Sequence, residues 1–101
     1  MISTLLCPHV LSAEAFTGAT FVTWSESEQR GYVGAQLVMA STIASRSQPE
    51  MVGCIADAFF DGTGMSDEKF AEIVQTIGEH QSFHPSSVLV ILLEYACGTF
   101  N

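Results

Sequence analysis

Two cysteines limit what this chain can fold into more than any other residues in it. Cys54 stands near the middle and Cys97 near the end, and each lies on or beside an apolar stripe with helical spacing. A bond between them would tie the middle of an all-helical chain to its last helix, and it would imply an oxidising compartment. It would add about 4 kcal/mol to stability in the chain-entropy model. The alternative is two buried free thiols, which behave as small hydrophobic side chains.

The start of the chain lacks the helical pattern of the rest. Cys7-Pro8-His9 breaks any early helix, so we expect residues 1–11 to be irregular. Cys7 is left over as a free thiol or as a partner for another chain. The whole chain, residues 1–101, is predicted to form one helical domain, since 48% of its residues are hydrophobic and only 14% are charged.

The chain is strongly acidic. Eleven aspartates and glutamates stand against three basic residues, Arg30, Arg46 and Lys69, for a net charge of −8. Three bases neutralise few phosphates, so we expect no nucleic-acid binding. The same charge repels anionic membrane surfaces and attracts a cationic partner. The alternative is that the acidity mainly keeps a rather hydrophobic protein in solution.

The sequence predicts no membrane insertion. Its longest apolar run, from Val88 to Leu93, is far shorter than the roughly 20 residues that cross a bilayer. The first seven residues lack the basic region and the long apolar core of a signal peptide. The chain is therefore expected to be a mature periplasmic or secreted protein, with a cytoplasmic protein as the alternative. The cysteines favour the first of these.

Capping and turn residues divide the chain into a short N-terminal helical segment and four main helices. Ser25 and Glu28 form an S-x-x-E capping box, which opens the longest helix over about residues 26–46. The four main helices are predicted to begin near Ser25, Pro49, Ser66 and Pro85. We therefore predict an all-α fold, a compact bundle of four main helices plus the short N-terminal segment, with one disulfide.

Two expectations concern how these helices pack. The longest helix carries two neighbouring apolar stripes, which predicts burial over much of its girth, and Gly31 and Gly34 would allow another helix to approach closely. The run from Val88 to Leu93 is apolar on every side, so we expect other helices to surround it. A six-residue apolar run also fits a buried strand, which is the alternative.

Two histidines lie four positions apart in Glu79-His80-Gln81-Ser82-Phe83-His84. On a continuous helix, His80 and His84 could bind one metal ion, although the H-E-x-x-H order of zinc proteases is absent. Pro85 disfavours helical geometry at His84. The alternative is a connection between two helices, with His80 near a helix C-terminus. We predict no cofactor.

The sequence contains no strong catalytic motif, so we do not expect an enzyme. There is no G-x-S-x-G and no glycine-rich phosphate loop, and helix capping explains the serines beside His84. Five acids cluster instead around the Asp61-Gly62-Thr63-Gly64 turn. They are Asp57, Asp61, Asp67, Glu68 and Glu72. This cluster could be a docking face for a basic protein, and the alternative is a solvated helix end.

Landmarks from Tyr32 onwards follow a characteristic order along the chain. They are Tyr32-Val33-Gly34, Cys54, Phe70 to Ile77, His84-Pro85 and Val88 to Cys97. Over about residues 30–98 this order resembles the Tai-type immunity proteins, small periplasmic helical proteins that neutralise type VI secretion amidases. The resemblance implies a periplasmic, inhibitor-like protein that forms homodimers. A remoter similarity is to the HdeA-like acid chaperones, which are also periplasmic, helical and held by one disulfide.

Three functions follow as hypotheses. The first is a non-enzymatic binding protein that occludes a basic protein partner, with an acidic rim that steers the partner and an apolar centre that holds it. The second is a protein like the acid-stress chaperones, which would loosen and protect clients at low pH. The third is a ligand- or metal-binding helical module that uses His80 and His84.

Overall fold

The computed structural model describes residues 16–100, and within this range it contains five helices and no strand. The helices are α1 (Gly18–Phe21), α2 (Glu26–Ser47), α3 (Pro49–Phe59), α4 (Asp67–Glu79) and α5 (Pro85–Cys97). Helix accounts for 74% of the range, and Phe60 and Met65 form an isolated bridge. The predicted all-α fold, with four main helices after a short N-terminal one, is confirmed.

Side chains at the helix starts determine where α2 and α4 begin. The Glu28 N–H donates to Ser25 Oγ at 3.2 Å, and the Ser25 N–H donates to Glu28 Oε1 at 3.0 Å. This is the predicted capping box, which satisfies amides that the first turn of a helix leaves without a partner. At α4, the Lys69 N–H donates to Ser66 Oγ at 3.3 Å.

Two prolines and a glycine set the bounds of the other helices. Pro49 opens α3 and Pro85 opens α5, each in a first turn where the missing N–H is tolerated. Gly98 follows α5 with φ at +91°, a conformation that side chains with a β-carbon rarely adopt. These local signals therefore place both ends of α5 where the sequence predicted them.

The core lies where the inner sides of the four main helices meet. Its fully buried side chains include Phe21, Leu37, Ile55, Ile73, Ile77 and Leu89. The long helix α2 packs mainly on α3, and α5 packs on α3 and α4. Burial of this apolar surface, at about 25 cal/mol per Å², is the main force that holds the bundle together.

A disulfide joins α3 to α5, as the cysteines predicted. The Cα atoms of Cys54 and Cys97 are 5.8 Å apart, a usual separation for this bond. The loop that it closes contains the whole of α4. The bond therefore restrains three of the four main helices.

The short helix α1 docks on the end of α4. The Gly18 N–H donates to Phe83 O at 2.8 Å, and the Ala19 N–H donates to Gln81 O at 3.1 Å. A β-carbon at Gly18 would lie 3.0 Å from both Ile77 O and Gln81 Cα. This close backbone approach is the reason why glycine stands at position 18.

The packing predicted for α2 is wrong on one side of the helix. Leu37 belongs to a stripe that α3 covers, but Met39 and Ile43 on the neighbouring stripe are exposed. A β-carbon at Gly31 or Gly34 would meet nothing within 4 Å, so these glycines mark no close helix contact. The reason is that α2 packs mainly on one helix, and one helix covers only one stripe.

The expectation that other helices surround α5 is also wrong. Leu89 and Leu93 are buried, whereas Val90 and Ile91 are exposed. The inner side of α5 packs on α3 and α4, while a groove separates its flank from α2. The alternative of a buried strand is excluded, because the run is helical.

Part of the predicted organisation lies outside the described residues. The irregular segment at residues 1–11, which includes Cys7, is not among residues 16–100. This segment, the state of Cys7 and the single domain over residues 1–101 stay predictions.

Candidate partner-binding site

A groove lies where α3 ends, α4 begins and the second half of α5 passes between them. Its volume is about 250 Å³. Its lining combines apolar side chains, among them Phe59 of α3, Ile73 of α4 and Leu92 of α5, with the ion pair of Lys69 and Glu72. We call it the α3–α4–α5 groove. Phe59 and Ile73 are buried and belong to the core, so the rigid part of the bundle forms its floor.

A tight turn connects the two helices at this groove. The Asp61 N–H donates to Gly64 O at 2.8 Å, and Asp61 Oδ1 accepts from the Thr63 N–H at 2.9 Å and from Thr63 Oγ1 at 2.7 Å. Gly64 has φ at +127°, which favours glycine. The hydrogen bonds from the Thr63 backbone and hydroxyl lower the pKa of Asp61 below its usual value. The turn is therefore both fixed in shape and firmly anionic at neutral pH.

The structure brings the five predicted acids to this end of the bundle. Their positions follow the chain: Asp57 near the end of α3, Asp61 in the turn, and Asp67, Glu68 and Glu72 in the first half of α4. Each of the five is exposed. Their role as a docking face for a basic partner stays a prediction.

The chain's own bases neutralise two of these acids. Arg30 pairs with Asp67 at 2.5 Å, and Lys69 pairs with Glu72 at 3.3 Å. Within residues 16–100, three of the five acids form no ion pair: Asp57, Asp61 and Glu68. These three acids are the part of the cluster that can attract a basic partner without displacing an internal ion pair.

Arg30 has a structural role beside the acidic cluster. Its guanidinium pairs with Asp67 and with Glu26 at 3.2 Å, and it lies 4.3 Å from the centre of the Phe70 ring. The hydrogen bonds that Arg30 donates to Asp67 first, and to Glu26 second, raise the pKa of Arg30 above its usual value. Arg30 therefore fastens α2 to the start of α4 and orients the acidic end of the bundle.

Tyr95 is a prominent residue that sequence reasoning missed. It lies at the rim of the α3–α4–α5 groove, and it is 92% exposed. No role was assigned to it from the sequence, because the apolar run that was singled out ends at Leu93. The signal that could have found it is its spacing, since Tyr95 stands four residues after Ile91 and eight after Ser87, on one side of the helix.

The two histidines do not share a helix. His80 follows the end of α4, with Nδ1 2.9 Å from Thr76 O, and His84 precedes Pro85, with Nδ1 accepting from the Ser86 N–H at 3.1 Å. A neutral His84 ring therefore carries its proton on Nε2. A metal bound at Nε2 of His84 would require the other tautomer and would break the bond that caps α5.

Metal binding by His80 and His84 stays a prediction. Among residues 16–100, no group of three or more histidines, cysteines and acids is arranged to hold a metal ion. Titration with zinc of the wild type and of His80→Ala tests the pair. Equal and weak binding by both proteins would remove the metal site.

Ser86 belongs to a structural network. Its Oγ lies 2.6 Å from the Tyr32 hydroxyl and donates to Gln36 Oε1 at 3.0 Å. These bonds join the start of α5 to α2. The hydroxyl of Ser86 is therefore engaged with Tyr32 and Gln36, and the His84 ring nitrogen Nδ1 bonds to the Ser86 backbone instead.

Comparisons of this chain with protein-family models, with curated proteins and with solved structures found no match. The resemblance to the Tai-type proteins and the remoter one to the HdeA-like proteins therefore stay predictions. Across residues 16–100, every helix falls short of a bilayer-spanning segment in length or in hydrophobicity.

Proposed function

We propose that this protein is a non-enzymatic binding protein of the periplasm or the extracellular space, which occludes a basic protein partner. One observation carries the proposal. Three exposed acids without an ion pair among the described residues lie in and on either side of a turn that hydrogen bonds hold in one shape. The helices that this turn connects also line a groove of apolar side chains and the Lys69–Glu72 ion pair. This combination supplies both long-range attraction and short-range apolar contact.

A protein that occludes its partner needs a complementary surface and no reactive group. The rigidity of the site is therefore its most important property. The bonds of Asp61 within the turn hold its carboxylate in place, and the ion pair between Arg30 and Asp67 fastens the start of α4 to α2 before any partner arrives. A preorganised surface loses little conformational entropy on binding. Only a small loss of entropy on this side of the interface therefore offsets the free energy of the contacts.

The disulfide supports the proposed compartment, because structural disulfides persist where the environment is oxidising. The resemblance to Tai-type immunity proteins supports an enzyme as the partner and inhibition as the outcome. In this proposal the basic surface of the partner surrounds its active site, and the acidic turn covers it.

The test compares two double variants with equal loss of charge. Asp57→Asn with Glu68→Gln removes two of the three acids at the site, while Glu50→Gln with Glu79→Gln removes two exposed acids elsewhere. We expect the wild type and the control to capture the same basic protein from an envelope extract of the source organism. The site variant should associate with it about tenfold more slowly at low salt, since charged rims mainly set association rates.

Two outcomes would contradict the proposal. One is the recovery of no protein from the source organism's own envelope. The other is an equal change of the association rate in both double variants, which would assign the effect to net charge and not to the acidic turn. Surface plasmon resonance at several salt concentrations measures the association rates of the two double variants.

A further inference from the structure

A second groove separates α2 from the flank of α5. Its volume is about 280 Å³, and it shares no lining residue with the α3–α4–α5 groove. We call it the α2–α5 groove. Leu89 and Leu93 are buried and form its floor, whereas Met39, Ile43 and Val90 are exposed and form its walls. The fold therefore leaves apolar surface open here, and an apolar ligand would remove that surface from water.

Contacts of α2 with α5 and with the residues after α5 bound the groove at both ends. At one end, Ser86 Oγ donates to Gln36 Oε1 at 3.0 Å, so this hydrogen bond crosses from α5 to α2. At the other end, Phe100 lines the groove, and beside it Gln48 Nε2 donates to Thr99 O at 3.2 Å. The groove is therefore a trough of limited length.

The spacing of the lining residues sets the length of a matching ligand. The lining extends from Gln36 to Ile43 on α2 and from Ser86 to Leu93 on α5, which is the same span on both helices. At about 1.5 Å per residue, this span is about 10 Å. An extended alkyl chain, with single bonds of about 1.5 Å, covers that distance with about eight carbon atoms. An alkyl chain of medium length therefore matches the groove.

Arg46 lies at the rim of this groove without an internal partner. Arg30 and Lys69 are paired with acids, whereas Arg46 forms no ion pair with any of residues 16–100. It follows Ile43 by less than one helical turn, and side chains in a helix lean towards the N-terminus. The Arg46 side chain therefore leans back over the turn that contains Ile43, at the Phe100 end of the groove.

One acid stands on the opposite rim. Glu94 follows Val90 by about one turn on α5, and its carboxylate accepts from the Phe100 N–H at 3.4 Å. An anion bound at this end is attracted by Arg46 and repelled by Glu94. Because the chain has a net charge of −8, its overall field also repels anions. A preference for an anionic ligand can therefore be assigned to Arg46.

We infer that the α2–α5 groove binds a free fatty acid of medium chain length, with the alkyl chain along the groove and the carboxylate at Arg46. The guanidinium presents a fork of donors that matches the two carboxylate oxygens. The acyl chain of an ester or a phospholipid lacks this free carboxylate. Binding is weak, with a dissociation constant of roughly 0.1–1 mM, because the groove is open on one side and an exposed ion pair adds little.

The first test compares octanoate with octanol, which have the same chain length. Both are titrated at about pH 7, where a carboxylic acid is ionised, and the methyl signals are followed by NMR. The wild type should bind octanoate about three- to fivefold more tightly, the usual size of an exposed ion pair. Arg46→Gln should remove this preference, and Glu94→Gln should increase it. The affinity for octanol should stay the same in both variants.

The second test locates the ligand. Ile43→Asp places a charge inside the groove and should weaken the binding of both ligands at least about tenfold. Val38→Asp is the control with the same change of charge, because Val38 is 60% exposed on α2 and does not line the groove. It should bind both ligands like the wild type. In the wild type, the shifted methyl signals should be those of Ile43, Val90 and Leu93.

Four outcomes would overturn the inference. They are equal binding of octanol and octanoate by the wild type, an unchanged preference in Arg46→Gln, equal weakening in Ile43→Asp and Val38→Asp, and no shifted signal up to about 10 mM ligand, which is well above the expected dissociation constant. Failure of partner capture would leave these results unchanged, because the acidic turn contributes no residue to this groove. The two proposals are therefore tested separately.

Discussion

The covered and the uncovered side of α5 differ in their neighbours more than in their residues. Leu89 and Ile91 are two positions apart and are both large aliphatic residues, yet Leu89 is buried and Ile91 is exposed. On the covered side, α3 and α4 pack against the helix, and the disulfide fixes its end. An apolar sequence thus favours burial, but the packing of the other helices determines which side of α5 is buried.

Removing the disulfide on the covered side of α5 should have the largest effect on stability. Cys54→Ala with Cys97→Ala should lower the free energy of unfolding by about 4 kcal/mol, because the open chain gains conformational entropy when it unfolds. Urea denaturation at low protein concentration measures this change. Reduced wild type should approach the variant, and reductant should not affect the variant. An unchanged midpoint in the variant would contradict the role given to the bond.

Truncations on the two sides of α5 test the comparison directly. Leu89→Ala should cost about 3 kcal/mol of unfolding free energy, since it leaves a cavity in the core. Ile91→Ala should change it by less than about 0.5 kcal/mol, because this side chain is largely exposed. Similar losses for both variants would mean that α5 is covered on both sides.

Two glycines give a smaller contrast between covered and uncovered backbone. Gly18→Ala should destabilise the protein by about 1–3 kcal/mol, because its β-carbon would press on Ile77 O and the Gln81 backbone. Gly31→Ala meets no atom within 4 Å and lies inside a helix, so it should stabilise the protein by up to about 1 kcal/mol. Thermal unfolding of both variants checks the opposite signs, and a loss at Gly31 would reveal an unseen contact.

The smallest effect concerns the pH dependence of the exposed turn. The folded chain lowers the pKa of Asp61, so its stabilising contribution is present above the unfolded-state pKa of about 3.9 and is lost as pH falls through the lower folded-state pKa. Asp61→Asn should therefore be less stable than the wild type at neutral pH. The difference in melting temperature should shrink below about pH 4, and a constant difference would contradict this assignment.

Local chemistry made much of the fold predictable. The capping box of Ser25 and Glu28, the cap at Ser66 and the prolines at the starts of α3 and α5 act within one helical turn, so the sequence alone places these boundaries. The cysteine pair was predicted as well, because each of the two cysteines lies on or beside an apolar stripe with helical spacing. The acids around the turn follow directly from the predicted helix ends.

Burial on α2 and α5 was not predictable in the same way. A run that is apolar on every side carries no periodicity, so Val88 to Leu93 does not reveal which side faces the core. Gly31 and Gly34 suggest close packing only if another helix is present beside them, and that depends on contacts between distant segments. The exposure of Tyr95 was not predicted either, since it depends on which side of α5 the other helices cover.

The most direct measurement is solvent paramagnetic relaxation enhancement by a soluble gadolinium complex on methyl-labelled protein. Because Leu89 is 2% exposed and Ile91 is 66% exposed, we expect strong broadening of the Ile91 methyl signals and little broadening of the Leu89 methyl signals. Similar broadening of both residues would contradict the difference between the covered and the uncovered side of α5.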